Sequence, residues 1–184
     1  MSIAQTDSHS VSKPPGSVLP GAPAPFYLAN GEGEKSIVFD QLFTILLSGD
    51  ETEGQYGVFT VDAPKGEMIP PHLHTTAHEI FYVVDGSITV WMNDQKGFEG
   101  KRTLATGDFG FVPLNTVHAF RMEATTRILG VNTGGFERFF LDMGTPAPAD
   151  AMGPPRVPYI TPIEQMLAAG RTFGTVFMPD FRFE

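Results

Sequence analysis

The sequence predicts an all-β fold, a jelly-roll β-barrel with an extended N-terminal arm and a short C-terminal helix. Three observations lead there. Apolar runs of strand length recur along the chain and are punctuated by Gly and Pro, 20 and 16 of them in 184 residues. Asp85-Gly86, the dipeptide of a two-residue turn, sits between two such runs. Only one stretch, near Thr161, carries helix start and stop signals.

Taken in order, residues 1–25 hold Ser8, Ser10, Ser12, Pro14, Pro15, Pro20, Pro23 and Pro25 with few apolar anchors, which reads as a flexible arm. Residues 26–184 then form a single domain with a C-terminal linker and helix. Ser36 to Ser48 is strand-like and stops at Gly49-Asp50; Tyr56 to Val61 is a second strand, stopped by Ala63-Pro64-Lys65-Gly66. Asp85-Gly86 is the dipeptide of a two-residue hairpin turn, so the segments on either side are expected to pair, with Val83 opposite Ile88, Phe81 opposite Val90 and Glu79 opposite Met92. One face then carries Glu79, Phe81, Val83, Ile88, Val90 and Met92 and is assigned to the barrel interior. The other carries Ile80, Tyr82, Val84, Ser87, Thr89 and Trp91, too apolar for free solvation, and is expected to be covered by a second subunit in a homodimer, by the arm or by the C-terminal segment. Gly97 to Gly100 reads as a loop, Arg102 to Val112 as strands around Thr106-Gly107-Asp108, and strands follow through His118 and from Arg127 to Val131. Residues 145–158 read as a linker. Thr161 is placed as N-cap, Pro162 as first helical residue, Glu164 as the capping-box acid and Gly170 as terminator. A helix face of Ile163, Met166 and Leu167 needs an apolar seat, for which the barrel mouth is one candidate. No motif is duplicated, so one barrel is expected.

Composition removes several functional classes. A net charge of −9 argues against nucleic acid and anionic membrane surfaces as partners. No apolar run approaches the ~18 residues of a membrane span, and no charged start precedes an apolar stretch, so a cytoplasmic location is the default expectation. With no cysteine, a metal would have to be held by His and carboxylate.

Such residues are clustered. His72 and His74, two apart on a strand, point the same way; Thr75-Thr76-Ala77 can turn Glu79 back towards them; and His118 lies in a second segment. Three imidazoles and a carboxylate suit nickel, iron, manganese, cobalt, copper or zinc and leave room for a substrate or dioxygen. Gly66, His72, His74, Glu79 and Gly86 reproduce the first cupin motif, Gly-x5-His-x-His-x4-Glu-x6-Gly. Gly107, Pro113 and His118 meet the second, in which Asn115 replaces the last Gly and Met122 the Asn. The chain thus resembles a metal-binding cupin, with His72, His74, Glu79 and His118 as its implied ligands. His78 adjoins Glu79, and strand alternation turns only one of the pair inward; Glu79 is assigned that place and His78 the surface or an outer layer.

Cupins serve as dioxygenases, isomerases, storage proteins and sensors, so the barrel alone leaves three readings: an oxygenase, another metalloenzyme acting on a polar substrate, and a non-catalytic binder. The segments PKGEMIPPHLH, HEIFYVVDGSI, GDFGFVPLNTVHAFRME and GGFERFFLDMGTPA resemble single-domain bacterial quercetin 2,3-dioxygenases from about Phe26 onward. That resemblance implies one divalent transition metal per chain (Ni, Co, Mn, Fe or Cu), a flavonol and dioxygen as partners, Glu79 as the base that takes the flavonol 3-hydroxyl proton, and cleavage of the central ring with release of carbon monoxide. Phe81, Met92 and Phe120 are the candidate substrate contacts.

Overall fold

The computed structural model describes residues 18–184. Most of the arm expected over residues 1–25 lies outside the described residues. Among the described residues twelve strands form two antiparallel sheets. The larger runs in the order β11 (Thr145–Pro146), β1 (Glu34–Val38), β2 (Gln41–Leu47), β3 (Tyr56–Ala63), β10 (Thr126–Thr133), β5 (Glu79–Asp85) and β8 (Phe109–Val112). The smaller runs β12 (Thr175–Phe177), β4 (Ile69–His74), β9 (Val117–Met122), β6 (Ser87–Asn93) and β7 (Glu99–Ala105). Two helices, α1 (Arg138–Met143) and α2 (Ile163–Phe173), complete the fold, and neither is long and apolar enough to cross a membrane.

Alternation builds the interior as expected. Phe43 and Ile45 of β2, Phe59 and Val61 of β3, Phe81 and Val83 of β5, Ile88 and Val90 of β6 and Ile128 of β10 are all buried. Gly130 lies across from both Phe59 and Phe81, and the Phe59 ring fills the space where its side chain would stand. Behind them α1 adds Phe139 and Phe140, the latter stacked on Phe43 with ring centroids 4.2 Å apart.

Several local expectations are corrected. β5 and β6 are not a hairpin: they lie in different sheets, and Asp85-Gly86 is the corner between them. Gly86 takes φ +87, with the Thr125 carbonyl and Thr126 pressed against it where a Cβ would be, and Thr126 Oγ1 holds both Ser87 N and Ser87 O. Glu79 therefore faces Asn132 on β10 and Val112 on β8, whereas Met92 faces His118. The long Ser36–Ser48 segment folds into two strands around Phe39, which takes a left-handed φ of 54. The expected loop at 97–100 already contains the start of β7, and within the linker β11 pairs with β1. Thr161 does not cap α2: its hydroxyl donates to Met143 O instead, and Pro162 stands at the cap. The helix runs through Gly170, which packs against Phe177 and Thr175, and ends at left-handed Gly174.

Candidate metal centre

His72, His74 and His118 present one nitrogen each within 4.8 Å of one another, all three buried. β4 supplies the first two and β9 the third; His72 and His118 are direct cross-strand partners, so both side chains project from the same sheet face. Glu79 arrives from the opposite sheet on β5. Its Oε2 lies 3.3 Å from His74 Nε2 and 3.2 Å from His118 Nε2. The structure thus brings together the four residues singled out from the motif spacing.

The outer ring nitrogens are fixed. His72 Nδ1 lies 2.8 Å from Pro70 O, and His118 Nδ1 lies 3.0 Å from Thr116 O, each two residues back on its own chain. A carbonyl only accepts, so both rings carry their proton on Nδ1 and turn an Nε2 lone pair inward. His74 Nδ1 meets the hydroxyl of Thr175 at 2.9 Å. The inward Nε2 atoms of His74 and His118 are buried with no hydrogen-bond partner. Nitrogen lone pairs directed at a carboxylate oxygen repel it unless a cation stands between them. The donor set therefore fits a metal ion, since ligands about 2.1 Å from one ion sit within about 4.2 Å of each other and small side-chain rotations close that gap.

Electrostatics agree. Burial, followed by the neighbouring His118 and His74, holds His72 well below its ordinary value, favouring the neutral ligating form. Burial pushes the Glu79 carboxyl up, but in the metal-free chain the positive charge and N–H donors that His74 and His118 present when protonated at Nε2 outweigh it and hold the group well below the usual carboxylate range; a cation held between these groups acts in the same direction. Glu79 is thus ionised at neutral pH.

The centre opens on a cavity of about 210 Å³ walled by Phe43, Phe59, Phe81, Phe120, Phe139, Phe140 and Met143, with Met166 and Phe177 contributed by the C-terminal segment. Phe81 and Phe120 line it. Met92 does not; it sits beside His118 on the neighbouring strand. His78 is exposed, accepts the Leu114 N–H at Nδ1 and stacks on Phe111. Met166 reaches the cavity, whereas Ile163 and Leu167 of the same helix stay exposed. The walls from α1 were hidden in Phe136-Glu137-Arg138-Phe139-Phe140, whose aromatic density was the available signal. Thr175 had no local signal at all, since it lies 101 residues from His74.

A family model described as "Cupin domain" matches residues 59–131, a span from β3 to β10 that contains all four candidate ligands. The chain is 38% identical over 130 residues to a quercetin 2,3-dioxygenase of Bacillus subtilis (strain 168), covering 70% of this chain and 37% of the relative. It is 29% identical over 139 residues to a quercetin 2,3-dioxygenase of Aspergillus japonicus, covering 73% of this chain and 39% of the relative. It therefore spans less than two-fifths of the length of each. An oxalate decarboxylase structure from Bacillus subtilis superposes with a TM-score of 0.51 at 16% identity, over 63% of this chain and 31% of that one, a likeness of fold alone.

Proposed function

We propose that the chain, whose residues 59–131 match a cupin-domain model, is a metal-dependent flavonol 2,3-dioxygenase that cleaves the central ring of quercetin or a close flavonol with dioxygen and releases carbon monoxide. The observation that carries this reading is a cluster of three buried imidazoles and an ionised carboxylate, of which His72, His74 and Glu79 line an apolar, phenylalanine-rich cavity. The similarity to two quercetin 2,3-dioxygenases supports it. A polar substrate suits this cavity poorly, because beyond His72, His74 and Glu79 its polar lining is limited to Gln41.

In this proposal His72, His74, His118 and Glu79 hold one divalent transition metal. When bound, the cation supplies a Lewis acid that acidifies a substrate hydroxyl and an open position beside it. The remaining work belongs to the chain. Glu79, already ionised, accepts the 3-hydroxyl proton. Phe81 and Phe120, with ring centroids 5.8 Å apart, hold the flat aromatic substrate, and the aromatic walls keep water from the electron-rich flavonolate. Met92 shapes the pocket indirectly, by packing beside His118. Residues 26–184 act as one catalytic unit, because α2 and β12 contribute to both cavity and ligand support. Exposed Tyr82, Val84, Phe109 and Phe111 form a continuous apolar strip on paired β5 and β8, which supports a homodimer as the working form.

The test is incubation of metal-analysed protein with quercetin in air and under anaerobic conditions. Oxygen-dependent loss of flavonol absorbance with one carbon monoxide per flavonol is expected; loss without carbon monoxide assigns another chemistry.

A further inference from the structure

The three imidazoles are not held alike. His72 and His118 are oriented by carbonyls of their own strands' approach, which no substitution removes. His74 is oriented by a single side chain, the Thr175 hydroxyl, buried with it and directly opposite it where β12 pairs with β4. A hydroxyl both donates and accepts. If it donates to Nδ1, the ring proton stays on Nε2 and His74 cannot ligate; if it accepts from Nδ1, the Nε2 lone pair is released towards the centre.

The same C-terminal segment is tied to the turn joining His74 to Glu79. Thr75 N–H and the Thr75 hydroxyl donate to Gly174 O at 2.8 and 3.0 Å, and the Thr76 hydroxyl donates to Phe173 O at 2.8 Å. Gly174 is left-handed, and a Cβ there would stand 2.6 and 2.7 Å from the Thr75 and Thr76 hydroxyl oxygens, so glycine is what lets the two pieces meet. Two residues beyond Thr175, Phe177 enters the cavity wall. The C-terminal partners, Phe173, Gly174, Thr175 and Phe177, lie outside the residues matched by the cupin-domain model.

We infer that Thr175 is a positioning residue of the metal centre: its hydroxyl accepts the His74 Nδ1 proton and so sets the ligating tautomer, which links docking of α2–β12 to metal affinity. This rests on the proposed His72, His74 and His118 site. Linkage makes the effect reciprocal: metal tightens the docking of the segment as much as docking tightens the metal.

The experiment uses the full chain, stripped of metal and titrated with Co²⁺ followed by visible absorption, for wild type, Thr175→Val and Thr175→Ser, with Thr172→Val on the exposed side of α2 as control. Outer-layer partners of ligating histidines are worth about 10- to 100-fold in metal affinity, so Thr175→Val weakens cobalt binding by that factor while Thr175→Ser and the control stay within about threefold of wild type. Cobalt binding unchanged in Thr175→Val, or Thr175→Ser as weak as Thr175→Val, overturns the inference. Imidazole ¹⁵N shifts of zinc-loaded wild type give a second readout that needs no variant: His74 must carry its proton on Nδ1, and an unprotonated Nδ1 overturns the assignment. Wild type that binds no cobalt through these histidines would instead fail the metal reading itself, and this inference with it.

Discussion

Glu79→Gln separates the two roles a carboxylate can play here. In the cavity lining Glu79 is the one carboxylate, and its Oε2 sits 3.3 and 3.2 Å from two imidazole nitrogens. Gln keeps the shape and one coordinating oxygen, and its amide can donate to a facing Nε2. It cannot accept a proton near neutral pH. Three imidazoles remain to hold the cation, so metal content is expected to persist at saturating metal. Loss of a positioned base removes about 10²- to 10⁴-fold, equivalent to about 3–5 kcal/mol of barrier. The assay is flavonol decay at saturating quercetin in air across neutral pH, with anaerobic flavonol binding and metal analysis on the same preparation. The expected pattern is metal retained, flavonol bound and kcat reduced by at least a hundredfold. A kcat within about threefold of wild type lies far outside that range and would remove Glu79 as base. His78 is then no ready substitute, because it faces outward with Nδ1 engaged by the Leu114 N–H; solvent would have to take the proton.

Three further outcomes follow from the same structure. His118→Ala deletes a fully buried candidate ligand and should abolish stoichiometric metal, whereas His78→Ala should leave it intact; metal analysis after dialysis decides between them. Stability of the metal-free chain should fall with acid. His72, held below its ordinary 6.5 by burial and then by His118 and His74, is neutral when folded and protonated when unfolded, so its contribution is full above about pH 6.5 and lost below, by up to about 1.4 kcal/mol per pH unit. Glu79, also depressed, adds a loss below its ordinary 4.5; Glu137, raised by burial, acts oppositely, costing stability as pH climbs above 4.5. Denaturant midpoints should therefore rise between pH 5 and pH 7, and less steeply in His72→Phe; identical slopes would contradict the assignment. Finally, Tyr82→Lys with Phe109→Lys places charge on the exposed strip of β5 and β8 and should convert the proposed dimer to monomer in sedimentation; an unchanged assembly, or a monomeric wild type, would contradict that interface.

What could be read from the chain divides along physical lines. The spacing of His72, His74 and Glu79 within one strand-turn-strand unit is local, and strand periodicity fixes which way each side chain points. The inward face of Phe81, Val83, Ile88 and Val90 was legible for the same reason. Partners were not. Asp85-Gly86 serves a hairpin and a corner between sheets equally well, because the dipeptide sets the turn but not the sheet that receives the next strand. The Thr161-Pro162-Ile163-Glu164 start signal was overridden when Met143 O offered the Thr161 hydroxyl a buried partner. The hold of Thr175 on His74 belongs to the same class, a contact created by closing a long loop and invisible to any short window.

The most direct measurement is a crystal structure of metal-loaded protein, soaked anaerobically with quercetin, with anomalous scattering at the metal edge. The predicted result is one anomalous peak about 2.1 Å from the Nε2 atoms of His72, His74 and His118, with the flavonol 3-oxygen directed at it, Glu79 within hydrogen-bond reach of that oxygen, and the rings lying between Phe81 and Phe120. A peak away from these nitrogens, or a flavonol seated outside this cavity, would contradict the account.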